Sequence, residues 1–157
     1  MHLKYLKILT YTILLVWFLY SCDKERIYDQ SISIQDQSWQ QDSILRFIVN
    51  IDDTIILHKF YLNIRHNTDY SYSNIYFFFN STLPNGNKTR DTIECILADL
   101  KGKWLGKGFG KIRDNRILLN SGLRFPMKGV YLFEIGQAMR TERLKGVEDI
   151  GIRIEKE

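Results

Sequence analysis

The chain has 157 residues, 45% hydrophobic and 25% charged, with 10 Gly, 2 Pro and 2 Cys and a formal net charge of +4. That length favours one globular domain, and the composition excludes low-complexity, collagen-like and highly charged disordered chains. A surplus of +4 spread over the chain is no nucleic-acid-binding footprint, and two cysteines cannot build a disulfide scaffold.

The first 21 residues read as an address. Lys4 and Lys7 precede Ile8 to Tyr20, a thirteen-residue run interrupted only by two threonines. This is the layout of a secretory signal, and the run is shorter than the roughly 20 apolar residues that span a bilayer. It ends in Leu19-Tyr20-Ser21-Cys22, which matches the bacterial lipobox. The Cys22 thiol takes a diacylglycerol, the small Ser21 lets the peptidase cut just before the modified cysteine, and further acylation, palmitate included, gives three chains. That exceeds the two-signal requirement for stable attachment. With Cys22 acylated, Cys95 is the remaining thiol, so no internal disulfide is expected.

Without residues 1–21 the chain carries 20 basic and 18 acidic residues, a net +2. Residues 22–42, rich in Gln, Ser and Asp, are expected to be the lipidated N-terminus and a tether, with Ile27, Ile32, Ile34 and Trp39 available for a short edge strand. Residues 43–157 follow a period of two. Leu45, Phe47, Val49 and Ile51 alternate with Arg46, Asn50 and Asp52, and Phe60, Leu62 and Ile64 with Tyr61, Asn63 and Arg65. Ile75 to Phe79 is apolar on both parities, which suits a central strand covered on each face. Leu83-Pro84-Asn85-Gly86 supplies a hairpin turn. Ile93, Cys95 and Leu97 continue one face, with Cys95 a small buried hydrophobe. Ile117 to Asn120, Arg124 to Pro126, Tyr131 to Ile135 and Ile150 to Ile154 complete about eight strands. Only Gln137 to Leu144 reads as a helix. The expected fold is all-β, a single antiparallel β-sandwich of jelly-roll type.

Few residues carry chemistry. The glycines before Lys103 and Lys107 lack the spacing of a phosphate loop and no helix follows, so no nucleotide site is expected. His58 and His66 lie about 26 Å apart if one strand joins them, too far to share a metal. Asp52 and Asp53 are explained as a loop flanking a strand. No cofactor, metal or catalytic residue is assigned, and the chain is expected not to be an enzyme. Two carboxylates facing each other across a concave sheet would revive a hydrolase.

The sharpest local feature is Lys101 to Arg116, with six basic residues against Asp114. This is +5 in sixteen residues, while the rest of the mature chain is −3. Read as a strand, it places Trp104, Gly106, Gly108, Gly110 and Ile112 on one face, and Lys103, Leu105, Lys107, Phe109 and Lys111 on the other. Two readings stand. In one, Trp104 or another ring covers the glycines while the lysines guard an edge strand against pairing with other sheets. Alternatively Lys103, Trp104, Lys107, Phe109 and Lys111 form a docking surface for an acidic partner, a glycan or an anionic headgroup.

Several blocks resemble the gliding-motility lipoprotein GldH family of Bacteroidetes. They are the lipobox at Cys22, Asn67 to Asn74, Leu83-Pro84-Asn85-Gly86, Asp91 to Glu94, Ala98-Asp99 through Gly102 to Gly110, Arg124-Phe125-Pro126, Ala138-Met139-Arg140 and Asp149 to Glu155. The glycine–lysine block is the most specific. The resemblance implies a lipid-anchored protein, expected at the outer membrane, required for gliding and the associated type IX secretion. It implies a structural or assembly component contacting proteins of that apparatus, with a glycan- or peptidoglycan-binding module as the alternative. The same likeness lets Asp42-Ser43-Ile44, Asp53-Thr54-Ile55 and Asp91-Thr92-Ile93 be read as O-glycosylation motifs.

Overall fold

The computed structural model describes residues 25–157, so the signal peptide and the cleavage and lipidation sites at Ser21 and Cys22 lie outside the described residues. In chain order the strands are β1 (Arg26–Ser33), β2 (Ser38–Gln40), β3 (Leu45–Ile51), β4 (His58–Asn67), β5 (Asn74–Thr82), β6 (Lys88–Ile96), β7 (Ile112–Leu123), β8 (Gly129–Gln137), β9 (Arg143–Lys145) and β10 (Val147–Lys156). They form two four-stranded sheets, ordered β1-β10-β4-β7 and β3-β8-β5-β6, with a small β2-β9 ribbon. Every pairing is antiparallel. The fold is the expected all-β sandwich.

The period of two in the sequence becomes the sandwich interior. Leu45, Phe47, Val49 and Ile51 of β3 are buried, as are Phe60, Leu62 and Ile64 of β4 and Ile150, Ile152 and Ile154 of β10. Phe60 meets Phe79 and Phe133 of the opposite sheet edge-on, with ring centroids 5.8 and 5.2 Å apart. Such pairs add directional preference to the area they remove from water. Burial pushes the Cys95 thiol up to about 12, with Glu94 nearby adding to the effect. It is a free, buried cysteine.

Four segments differ from expectation. The stretch read as a tether is largely part of the domain: β1 pairs along β10, Tyr28 and Ile32 pack on the core, and Ile34 and Trp39 are buried. Its polar composition is that of an edge strand, in which Tyr28 and Ile32 turn inward while Asp29, Gln30 and Ser31 stay exposed. Gln137 to Leu144 is not a helix. Buried Gln137 ends β8, donates to the Thr141 carbonyl (2.8 Å) and accepts the Met139 N–H (2.8 Å), which closes a loop, while Leu144 pairs with Trp39 in the β2-β9 ribbon. Arg124 to Pro126 is a connection rather than a strand, held by Phe125 edge-on to His58 and Tyr131. β5 is central in its sheet, but Ile75, Phe77 and Phe79 are buried while Tyr76 and Phe78 on the other parity are only half-buried, Phe78 beneath the Arg90 guanidinium.

Candidate functional site

The lysine-rich segment is not one strand. Residues 97–111 form a long loop joining β6 to β7, and only Ile112 onward is regular. Asp99 folds its start: one carboxylate oxygen accepts the Lys101 and Lys103 N–H groups, both at 2.9 Å. Isolated bridges pair Ala98 with Trp104 and Lys107 with Asp114. The Thr68 N–H donates to the Lys111 carbonyl at 2.8 Å. The loop is thus pinned along its length.

Two glycines are needed for this path. A Cβ on Gly106 would stand 2.8 Å from the buried Asn115 side chain. Gly108 has φ +154°, and a Cβ there would lie 2.2 Å from the Ile112 carbonyl oxygen. The spacing Gly106, Gly108, Gly110 therefore records close approach and turning, and not one face of a strand.

The candidate residues divide. Trp104 is half-buried and packs on the core, with its ring 4.5 Å from that of His66. Lys103 is exposed on the Asp99 turn, and Lys111 is exposed with its ammonium 3.6 Å from Asp69. Phe109 is 98% exposed, and Leu100 is fully exposed beside Lys101. Lys107 is exposed and lines a groove.

That groove, about 840 Å³, runs beneath the loop on the outer face of the β1-β10-β4-β7 sheet. Its polar floor includes Asn63, Arg65, Asp114 and Asp149, and Ile96 and Leu105 form an apolar lip. The Arg65 guanidinium is 2.7 Å from Asp114 and 3.1 Å from Asp149. The hydrogen bond to Asp114 and the nearby Asp149 charge hold Arg65 above its usual range. Burial raises the Asp149 carboxyl, opposed by Arg65. Next to the groove Arg153 is buried and paired with Asp29 (2.6 Å) and Glu155. Both groove carboxylates pair with the one Arg65 guanidinium, Asp149 with 14% of its side chain exposed and Asp114 with 54%. Sequence reasoning missed this groove because its residues are outward positions of four different strands. The available signal was the polar parity of β4, with Asn63 and Arg65 between inward apolar residues.

His58 and His66 occupy opposite ends of β4. Among the described residues no group of three His, Cys, Asp or Glu is placed to hold a metal ion, and no helix is long and apolar enough to cross a membrane. Of the motif residues, Ser43 and Thr92 are exposed and Thr54 is half-buried.

A family model described as GldH lipoprotein matches residues 26–154, which takes in both sheets, the loop and the groove. The chain belongs to the GldH lipoprotein family. It is 36% identical over 143 residues to a protein of Christiangramia forsetii described as gliding motility lipoprotein GldH homolog, covering 87% of each chain. It is 31% identical over 145 residues to the gliding motility lipoprotein GldH of Flavobacterium johnsoniae, covering 88% of this chain and 89% of that one. Among solved structures, the Yersinia pseudotuberculosis-derived mitogen aligns over 82% of this chain and 85% of its own with a TM-score of 0.33 and 6% identity. Family membership makes this chain a lipid-anchored cell-envelope protein.

Proposed function

We propose that this chain is a non-enzymatic assembly component of the gliding apparatus and its associated type IX secretion, anchored through Cys22 at the outer membrane and acting by protein contact. Its relatives' names carry the gliding role. The observation that carries the contact mode is the pinned loop 97–111, which displays Phe109 and Leu100 in full to solvent between Lys101, Lys103, Lys107 and Lys111. Exposed aromatic and aliphatic anchors ringed by one sign of charge suit an acidic protein surface: the apolar side chains supply burial and the lysines supply steering. The loop is also pre-organised by its hydrogen bonds, so little ordering entropy opposes docking.

The alternative is a glycan- or peptidoglycan-binding module, which would use Trp104 as a flat platform. That ring is instead packed against His66 and the core, which supports protein contact.

Charge reversal at Lys107 and Lys111 tests the reading. Both side chains are exposed, so the double variant should fold as the parent does while capture of protein partners from solubilised envelopes drops at least severalfold. Unchanged capture would contradict the docking role. Cys22→Ala tests the anchor separately, since it should release or mislocalise the protein, and full membrane retention would refute lipidation.

A further inference from the structure

The two ends of the sandwich differ, and the point where the chain enters the fold tells them apart. The Glu25 carbonyl accepts the Lys156 N–H at 2.7 Å, and the Glu157 N–H donates to the Leu57 carbonyl at 2.9 Å. The first described residue and the C-terminus therefore meet the sandwich beside the start of β4. From His58 to Asn67 that strand runs about 30 Å, and the basic loop is fastened just beyond its far end, at Thr68. Cys22 precedes Glu25 by three residues, a reach of at most roughly 11 Å. A lipid on Cys22 thus holds the near end of the sandwich close to the bilayer and leaves the loop at the opposite end.

The near end has an apolar rim. In the β3–β4 connection one Asp53 carboxylate oxygen accepts the N–H groups of Ile55 (2.7 Å) and Ile56 (3.3 Å), a turn that leaves Ile55 79% exposed. Leu57 and Pro126, on connections that join the two sheets, are also exposed at this end, as are Pro84 in the β5–β6 hairpin and Val130 at the start of β8. Asp52, Asp53 and Glu157 stand against Arg124, Lys128 and Lys156, so neither sign of charge dominates. The loop end has the opposite character, with lysines around its exposed anchors.

We infer that the near end is a membrane-seating surface: Ile55 enters the headgroup–acyl boundary and holds the domain upright, so that loop 97–111 is presented away from the anchoring membrane. The inference rests on lipidation of Cys22. Seating by apolar burial is insensitive to salt, in contrast to a polybasic contact. It also leaves no room for a sugar on Thr54 beside Ile55.

The test uses the full, processed lipoprotein in vesicles of phosphatidylethanolamine and phosphatidylglycerol, with a nitroxide on Ile55→Cys, Val130→Cys or Phe109→Cys. Cys95 is 1% exposed and stays unlabelled. Labels at 55 and 130 should collide with oxygen and be shielded from an aqueous nickel chelate, with the deeper position at 55, and the label at 109 should show the reverse, all unchanged in high salt. An aqueous signature at both 55 and 130 in protein that floats with the vesicles would overturn the seating, as would shielding at 109, which would mean a sandwich lying on its side. Protein that does not float at all would refute the anchor and with it this inference. Intact mass showing a glycan on Thr54 would also overturn it.

Discussion

Trp104 stands edge-on to His66, with ring centroids 4.5 Å apart and planes at 60°. One residue comes from the basic loop and the other from the end of β4, so this contact fastens the exposed segment to the sandwich. Removing the indole should free the loop without collapsing the core. Trp104→Ala is expected to lower unfolding stability by about 2 kcal/mol, less than for a fully buried tryptophan because the ring is half-buried. Hydrogen exchange should quicken at the Lys107 and Asp114 amides, which bond each other's carbonyls, while the amides of β4 and β10 keep their protection.

Gly108 gives a sharper backbone test. At φ +154° with the Ile112 carbonyl oxygen 2.2 Å from a notional Cβ, alanine forces the backbone to move. Gly102 also has positive φ, but open space surrounds its Cβ position. Denaturant titrations should show Gly102→Ala costing about 1 kcal/mol and Gly108→Ala clearly more, of order 2–3 kcal/mol. Equal costs would mean that the loop does not lie against β7.

The pH dependence follows from His66. Burial, chiefly, holds this imidazole below its ordinary 6.5, with Arg113 adding to the effect and the Asn67 carbonyl and Asp114 opposing it. The fold therefore favours the neutral ring, and the unfolded chain binds a proton first. Its stabilising contribution is complete above pH 6.5 and is lost as pH falls through that value towards the folded-state pKa. Asp149 has the opposite sign: its carboxyl is raised above 3.8 by burial, so its contribution is lost as pH rises through the folded value. Between pH 7 and 5 the denaturation midpoint should fall, and His66→Gln should flatten that slope while leaving the acidic limb. A slope that persists in the variant would assign it elsewhere.

The sandwich was legible because alternation is a local signal: Leu45 to Ile51 and Phe60 to Ile64 each state which face is inside. Arg26 to Ser33 was harder, since an edge strand beside a polar groove has the composition of a linker. Gln137 misled because its helix-breaking role comes from two side-chain hydrogen bonds that only the closed loop allows. In the site, the importance of Lys101 to Lys111 could be read from charge density, but its shape could not. Alternating glycines suggest a flat strand, whereas Asn115 and the Ile112 carbonyl, which require Gly106 and Gly108, are brought there by the turn itself. The Arg65–Asp114–Asp149 cluster was invisible because it joins residues from β4, β7 and β10.

Photocrosslinking in living cells from a photoreactive residue at position 107 tests the central claim most directly. The account predicts a discrete protein adduct that charge reversal at Lys111 weakens and that mass spectrometry assigns to an acidic surface. Glycan adducts, or none from protein correctly anchored in the envelope, would contradict it.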